Sequence, residues 1–210
     1  MSFSDLSLKS GVVLSADHPG ISPTPLTDGY DWSWLPLCRP GDDQGNSGAC
    51  TIFTFANWAE IMFGRSISDA DTLAVYAAAL SRYNLSAGSG LQFAQAFAVA
   101  SDAGWLPGIR SMLPARDLSA LSGQPILAAG SVTDAWAKPS PQGCLDHDPS
   151  LTHIRAYHAY LIVAAGAVPN LAGRWITLEN SWSLSWGWNG LGVMREDLHA
   201  RLCRELWILR

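Results

Sequence analysis

The sequence predicts an α+β fold with a helical first half and a β-rich second half. Three observations carry this. Between positions 50 and 63 apolar residues recur at spacings of three and four, and two capping-box patterns announce further helices before Gly104. After Pro107 they fall in short runs, rich in β-branched and aromatic residues and separated by Gly, Pro and Asn. The chain of 210 residues is 48% apolar and 15% charged, long and apolar enough to bury a sizeable core. Segregated helices and strands are the mark of α+β rather than of an alternating chain. A charge content well below the roughly 25% of an average soluble domain rules out disorder by charge excess.

Taken in order, residues 1–25 contain Gly11, Pro19, Gly20, Pro23 and Pro25 with no sustained period, and predict an irregular arm. Residues 26–110 form the helical subdomain. Its first helix runs from Cys50 to Phe63, where Ile52, Phe55, Ala56, Ala59, Met62 and Phe63 mark one buried face. Ser68 with Asp71 announces a second helix, and Ser89 with Gln92 a third that stops near Gly104, both capping-box patterns. Residues 111–210 form the β-rich subdomain, which opens with a short helix from Ala115 to Ser122, ended by Gly123, between the two halves. Its strands are expected at Pro125–Val132, Tyr157–Ala165, Arg174–Glu179, Leu191–Arg195 and Leu206–Leu209. The Pro-rich residues 134–152 between them are expected to be solvated, and a ligand is expected in a cleft between the halves.

A net charge of −5 without a basic block disfavours a nucleic-acid partner. The opening residues carry Asp5 and Lys9 and no apolar run of signal-peptide type, and the longest uncharged stretch, Tyr83 to Ser101, is too polar for a membrane span. A cytoplasmic location is expected, or export by a route without a cleaved signal. Cys38, Cys50, Cys144 and Cys203 lie far apart with no C-x-x-C pair, which disfavours a zinc knuckle and a dense disulfide framework.

Cys50 stands at the start of the first helix, after the flexible run from Gly45 to Ala49. Helix N-terminal amides favour an anion, so a thiolate is stabilised there, although many free cysteines are simply small buried hydrophobes. Gln44, six residues earlier, can turn its amide towards the helix mouth and join the Cys50 N–H in stabilising an oxyanion. His158 is the histidine best fixed by a rigid element, since it opens a strand whose alternation can project it towards Cys50. Asn180 ends another strand, and its oxygen can accept from one ring nitrogen of a histidine while a tryptophan keeps water away.

Together these residues resemble the papain and cathepsin family of cysteine peptidases. Gln44–Phe53, QGNSGACTIF, matches the family's Q-G-x-C-G-S-C-W-A-F block in spacing; Tyr157–Gly166 resembles its His-Ala block; Trp175–Gly190 resembles its W-x-x-x-N-S-W-G-x-x-W-G-x-N-G block. The resemblance covers roughly residues 30 to 209. It implies a papain-like fold with an antiparallel, β-barrel-like second half and an interdomain active-site cleft. It implies Cys50 as nucleophile, His158 as base and acid, Asn180 as the group orienting the imidazole, and Gln44 as an oxyanion donor. Trp182 matches the tryptophan shielding the Asn–His bond, and Gly88 and Ser89 the rim that binds substrate backbone; Trp182, Gly88 and Ser89 make up the substrate-side set. No metal or cofactor is called for.

The departures are specific. Ser47 replaces a cysteine and Thr51 an aromatic residue, and His158 follows Cys50 more closely than the family's usual spacing of about 130–150 residues. Tyr157 stands where relatives have Asp or Asn, and Ser183 where they have Gly. Relatives carry a long inhibitory prosegment, for which the arm before Pro25 is too short. The expected activity is hydrolysis of peptide or protein substrates through a covalent acyl-enzyme. Acyl transfer or deamidation is the alternative, and a binding module without turnover a third. An activated Cys50 should be alkylated selectively at mildly acidic pH.

Overall fold

The computed structural model describes residues 11–16, 18, 31, 33–167 and 172–210. Helix α1 (Cys50–Phe63) spans the predicted residues, but every side chain from Cys50 to Ile61 is buried, not one face alone. The reason is its position: α1 packs on strand β3 (Ile154–Ala167) on one side and on helices α2 (Asp69–Arg82) and α3 (Phe93–Asp102) on others. Polar groups on such a helix need internal partners. Thr54 Oγ1 donates to Cys50 O at 2.8 Å, Trp58 Nε1 donates to Pro125 O at 3.1 Å, and Glu60 Oε1 accepts from Ile67 N at 2.5 Å. Gly64, at φ +63°, closes the helix in the left-handed region that favours glycine.

Ser68 caps α2 as predicted, its Oγ accepting from Asp71 N at 3.1 Å. Helix α3 starts three residues later than the Ser89–Gln92 pattern implies. The reciprocal cap is built one step on, with Gln92 N donating to Gln95 Oε1 at 2.9 Å. Ser89 is already committed to a turn: its N–H donates to Ser86 O and its carbonyl accepts from Tyr76 Oη at 2.6 Å. The helix ends at Asp102 and Gly104 follows at φ +73°.

Six strands form one antiparallel sheet: β1 (Met112–Pro114), β2 (Ile126–Thr133), β3, β4 (Arg174–Glu179), β5 (Leu191–Arg195) and β6 (Cys203–Leu209), in the order β1-β6-β2-β3-β4-β5. The sheet is open; the barrel-like closure expected from sequence is absent, because no ladder joins the short edge strands β1 and β5. The short helix expected at Ala115–Ser122 is a 3₁₀ turn over Leu118–Ser122, delayed because Asp117 caps it by accepting from Ser119 N at 2.8 Å.

Period-two alternation divides the core. On β3, Ala159, Leu161 and Val163 face the helices, with Leu127 and Ala129 of β2 and Trp207 and Leu209 of β6. Tyr160 and Ile162 face the opposite side, where Trp136, Trp182, Trp186, Leu121 and Met194 form a second cluster. The residues 134–152 are not uniformly solvated: Asp134–Ala137 makes one buried helical turn, α4, that carries Trp136 into that cluster. A last helix, α5 (Glu196–Leu202), links β5 to β6. No helix among the described residues is long and apolar enough to cross a membrane.

Candidate active site

The two ends of the site are stitched together by backbone pairing. Gln44 N donates to Ser181 O at 3.0 Å and Ser183 N to Asp42 O at 2.8 Å, so the strand of residues leading into α1 runs beside the segment leaving β4. This brings the Gln44–Cys50 and Asn180–Trp182 motifs into one place despite their distance in sequence.

Cys50 is the first residue of α1, and Ala49 supplies no side-chain cap. No acidic side chain occupies the first turn, leaving the positive end of the helix dipole to the thiol. Cys50 is nonetheless fully buried. Burial pushes its thiol up, and the backbone amides of Ala159, Gly11, Thr51 and Cys50 itself pull it back. The sulfur is therefore covered in this fold. Its proximity to the Ala159 amide places it against the peptide unit that follows His158.

Gln44 is buried and has both ends of its amide engaged. Ser181 Oγ donates to its Oε1 at 2.7 Å, which fixes the amide so that Nε2 faces the loop before α1, where it donates to Ser47 O at 2.8 Å. Gly48 in that loop has to be glycine, since a Cβ would lie 2.5 Å from Gly88 O and 2.7 Å from Ser89 O. Gly88 and Ser89 thus stand beside the loop that leads into α1, with their carbonyls turned to Gly48 and Tyr76.

His158 lies opposite Gly130 in the β2–β3 ladder and is fully buried. Its Nε2 is 2.7 Å from Asn180 Oδ1, which also accepts from Ser181 N at 2.9 Å. An amide oxygen can only accept, so Nε2 carries the proton in this pair and the tautomer is set. Asn180 is held in turn by its own N–H, which donates to Gly190 O at 3.1 Å. Trp182 covers the bond with its ring centroid 4.6 Å from that of His158. At 1% exposure Trp182 acts on the imidazole rather than offering a surface to substrate.

Sequence reasoning missed Trp136. Its ring meets His158 edge-on at 6.0 Å and Trp182 at 5.9 Å, while Trp186 donates its Nε1 to Trp136 O at 2.7 Å. Two indoles thus wall in the imidazole, and Trp186 packs behind both. Ser183, where the family has glycine, sits at φ +70°, and the conformation explains the family's preference. All four cysteines are free.

No family model matches the sequence, and no curated protein does. Solved structures do match in shape. Xylellain, a cysteine protease from Xylella fastidiosa, is 18% identical with a TM-score of 0.68, covering 97% of this chain and 96% of its own. ProCathepsin B S9 from Trypanosoma congolense is 13% identical at 0.67, over 99% and 88%. Digestive procathepsin L 3 of Tenebrio molitor is 17% identical at 0.67, over 100% and 79%. Little sequence is shared with these proteins, yet their architecture is: the chain has the fold of the papain-like cysteine proteases.

Proposed function

We propose that the protein is a cysteine peptidase that cleaves peptide bonds through an acyl-enzyme. The observation that carries this is the His158 Nε2 to Asn180 Oδ1 bond of 2.7 Å under Trp182, on the strand whose Ala159 amide touches Cys50. A histidine orphaned from chemistry needs neither a fixed tautomer nor a wall of indoles. In this reading His158 Nδ1 takes the proton of the Cys50 thiol, and the thiolate attacks the scissile carbonyl carbon. The oxygen takes up the electron pair and is met by Gln44 Nε2–H and the Cys50 N–H. The C–N bond breaks as His158 gives its proton to the leaving amine, and a thioester remains. Water then attacks, His158 removes its proton, and the C–S bond breaks to release the acid.

The test is turnover of a diverse peptide library by the wild type and by Cys50→Ala. Cleavage by the wild type that drops to background in the variant is expected, and equal turnover by both overturns the reading. Mass analysis of the products identifies the alternative chemistry, because transfer to an amine ends the acyl fragment in a new amide rather than a carboxylate, and loss of side-chain ammonia leaves the peptide backbone intact.

A further inference from the structure

The sequence has no basic block, but strand pairing builds one. Arg110 and Arg116 flank β1, Arg204 and Arg210 lie at the two ends of β6, and Arg201 is in the last turn of α5 just ahead of it. Ser111 N donates to Arg210 O at one end of the pair, and Ala115 N to Leu206 O at the other, both at 2.8 Å. Arg110 therefore meets Arg210, and Arg116 lies at the Arg204 end. All five residues are exposed, and among the described residues none of them forms an ion pair. Arg82, Arg155, Arg174 and Arg195, by contrast, each hold a carboxylate. In a chain of net charge −5 this edge is a local reversal of sign.

Arg204 owes its exposure to a β-bulge. Ala129 of β2 pairs with Glu205 and Gly130 with Cys203, so Arg204 is the extra residue, outside the ladder. Cys203 and Glu205 on either side are buried, and the Glu205 carboxylate is committed to Trp207 Nε1 at 2.7 Å and to Ser15 N. Charge that only guards a sheet against edge pairing belongs on the edge strand, whereas Arg204 sits one strand in. Beside it the edge itself is open. At the far side of the sheet β5 is covered, since Leu145 N donates to Val193 O and Val193 N to Gly143 O, both at 2.9 Å. On β1, residues 111 and 115 turn main-chain groups to β6, and alternation leaves those of Met112 and the Pro114 carbonyl facing outward.

The ladders also fix the distance to the site. His158 pairs with Gly130, and Gly130 with Cys203. Two strand spacings of about 4.8 Å put the Cys203–Arg204 step about 10 Å from His158, and β1 about 15 Å away. An extended peptide advances about 3.4 Å per residue and covers the longer of these in about four residues.

We propose that the β1–β6 edge docks an acidic, extended segment of the protein substrate, with Arg116, Arg201 and Arg204 pairing with Asp or Glu about four to six residues from the scissile bond. The substrate class rests on the peptidase reading. Carboxylates supply the charge these arginines lack, and a guanidinium fork takes a carboxylate through two hydrogen bonds. A peptide, unlike a nucleic acid or a lipid headgroup, also offers main-chain groups to the open edge.

Binding is read by fluorescence anisotropy of a labelled peptide with Asp and Glu at alternate positions, beside the same peptide carrying Asn and Gln. The acidic peptide is expected to bind the wild type about tenfold more tightly, and to lose that advantage in Arg204→Glu and in Arg116→Glu. Arg82→Glu, an equal change of net charge on the helical half, is expected to keep it. Arg204→Gln and Arg201→Gln, which add no negative charge, take the place of a reversal that fails to fold, with the same direction of loss expected. Equal binding of the two peptides by wild type overturns the proposal, as does equal weakening by Arg82→Glu. An oligonucleotide of matching charge that competes better than the unlabelled acidic peptide overturns the choice of a peptide. Turnover is scored separately: an acidic residue at the stated distance is expected to lower KM in wild type but not in Arg204→Glu, with kcat unchanged. Preferential binding with no turnover removes the peptidase reading and leaves the docking edge intact; turnover with equal binding and equal KM for acidic and neutral peptides does the reverse.

Discussion

A carboxamide has an accepting end and a donating end, and Gln44 uses the first to aim the second. Ser181 Oγ holds Oε1 at 2.7 Å, so Nε2 is presented to the helix mouth with one of its two protons on Ser47 O. In the proposed chemistry the oxyanion is met on this donating end of the amide. Gln44→Ala is expected to lower kcat by about 10²–10³, the usual loss for one oxyanion donor, with KM little changed. Ser181→Ala keeps the donor but releases its aim, and a smaller loss, about tenfold, is expected. Steady-state kinetics on one cleavable peptide checks both; a larger loss at Ser181 than at Gln44 would contradict this division of labour. Cys50, His158, Asn180 and Gln44 stand out in the sequence because the roles proposed for them need particular atoms at particular element ends, and the structure pairs His158 with Asn180 and Gln44 with Ser181. Trp136 serves only by packing on His158 at 6.0 Å, and any bulky apolar residue in a loop looks the same in sequence.

At the scale of elements, local chemistry was a sound guide where a residue had no other duty. Ser68 Oγ is available and caps α2; Ser89, drawn into the turn that braces the rim against Gly48, does not cap α3. The Ser68→Ala variant loses the acceptor for Asp71 N and is expected to destabilise the protein by about 1 kcal/mol, a fall in Tm of about 2–4 °C for a chain of this size. Ser89→Ala keeps the carbonyl that Tyr76 holds and is expected to leave Tm within a degree. Thermal unfolding of the two variants beside wild type decides, and a larger effect at Ser89 would mean that the cap had been assigned to the wrong serine. The strands Arg174–Glu179 and Leu191–Arg195 were legible to the residue because turn residues bound them. β1, three residues long and ending in proline, and the single turn at Asp134 were too short to show a period, whereas Gly123 announced the turn at Leu118–Ser122.

For the molecule as a whole, the seam that joins the two motifs of the site also gathers carboxylates, and this makes stability depend on pH. Burial pushes Asp42 up to about 8, helped by repulsion from Asp69, Glu60 and Glu179. Burial likewise pushes Glu179 up to about 7, with repulsion from Glu60 opposing a hydrogen bond from Cys38 and one from the Arg39 backbone. In the unfolded chain both groups ionise near pH 4. Between that pH and 7–8 the folded state therefore holds protons that the unfolded state has lost, and stability declines as pH rises through the folded values. His199, whose protonation burial holds down to about 4, has the opposite sign: its contribution is complete above about 6.5, where the unfolded imidazole is neutral, and fades as pH falls. The two effects oppose each other below pH 6.5, so the carboxylates are isolated between 6.5 and 8. Over that window a loss of stability on the order of 2 kcal/mol with rising pH is expected, read as a Tm several degrees lower at pH 8 than at 6.5. Glu179→Gln and Asp42→Asn, which cannot ionise, should each flatten the slope, and the double variant should nearly abolish it. A wild-type Tm that is level or climbs from pH 6.5 to 8 would show that these carboxylates are already ionised in the folded protein, and that the seam is held by charge rather than by its suppression.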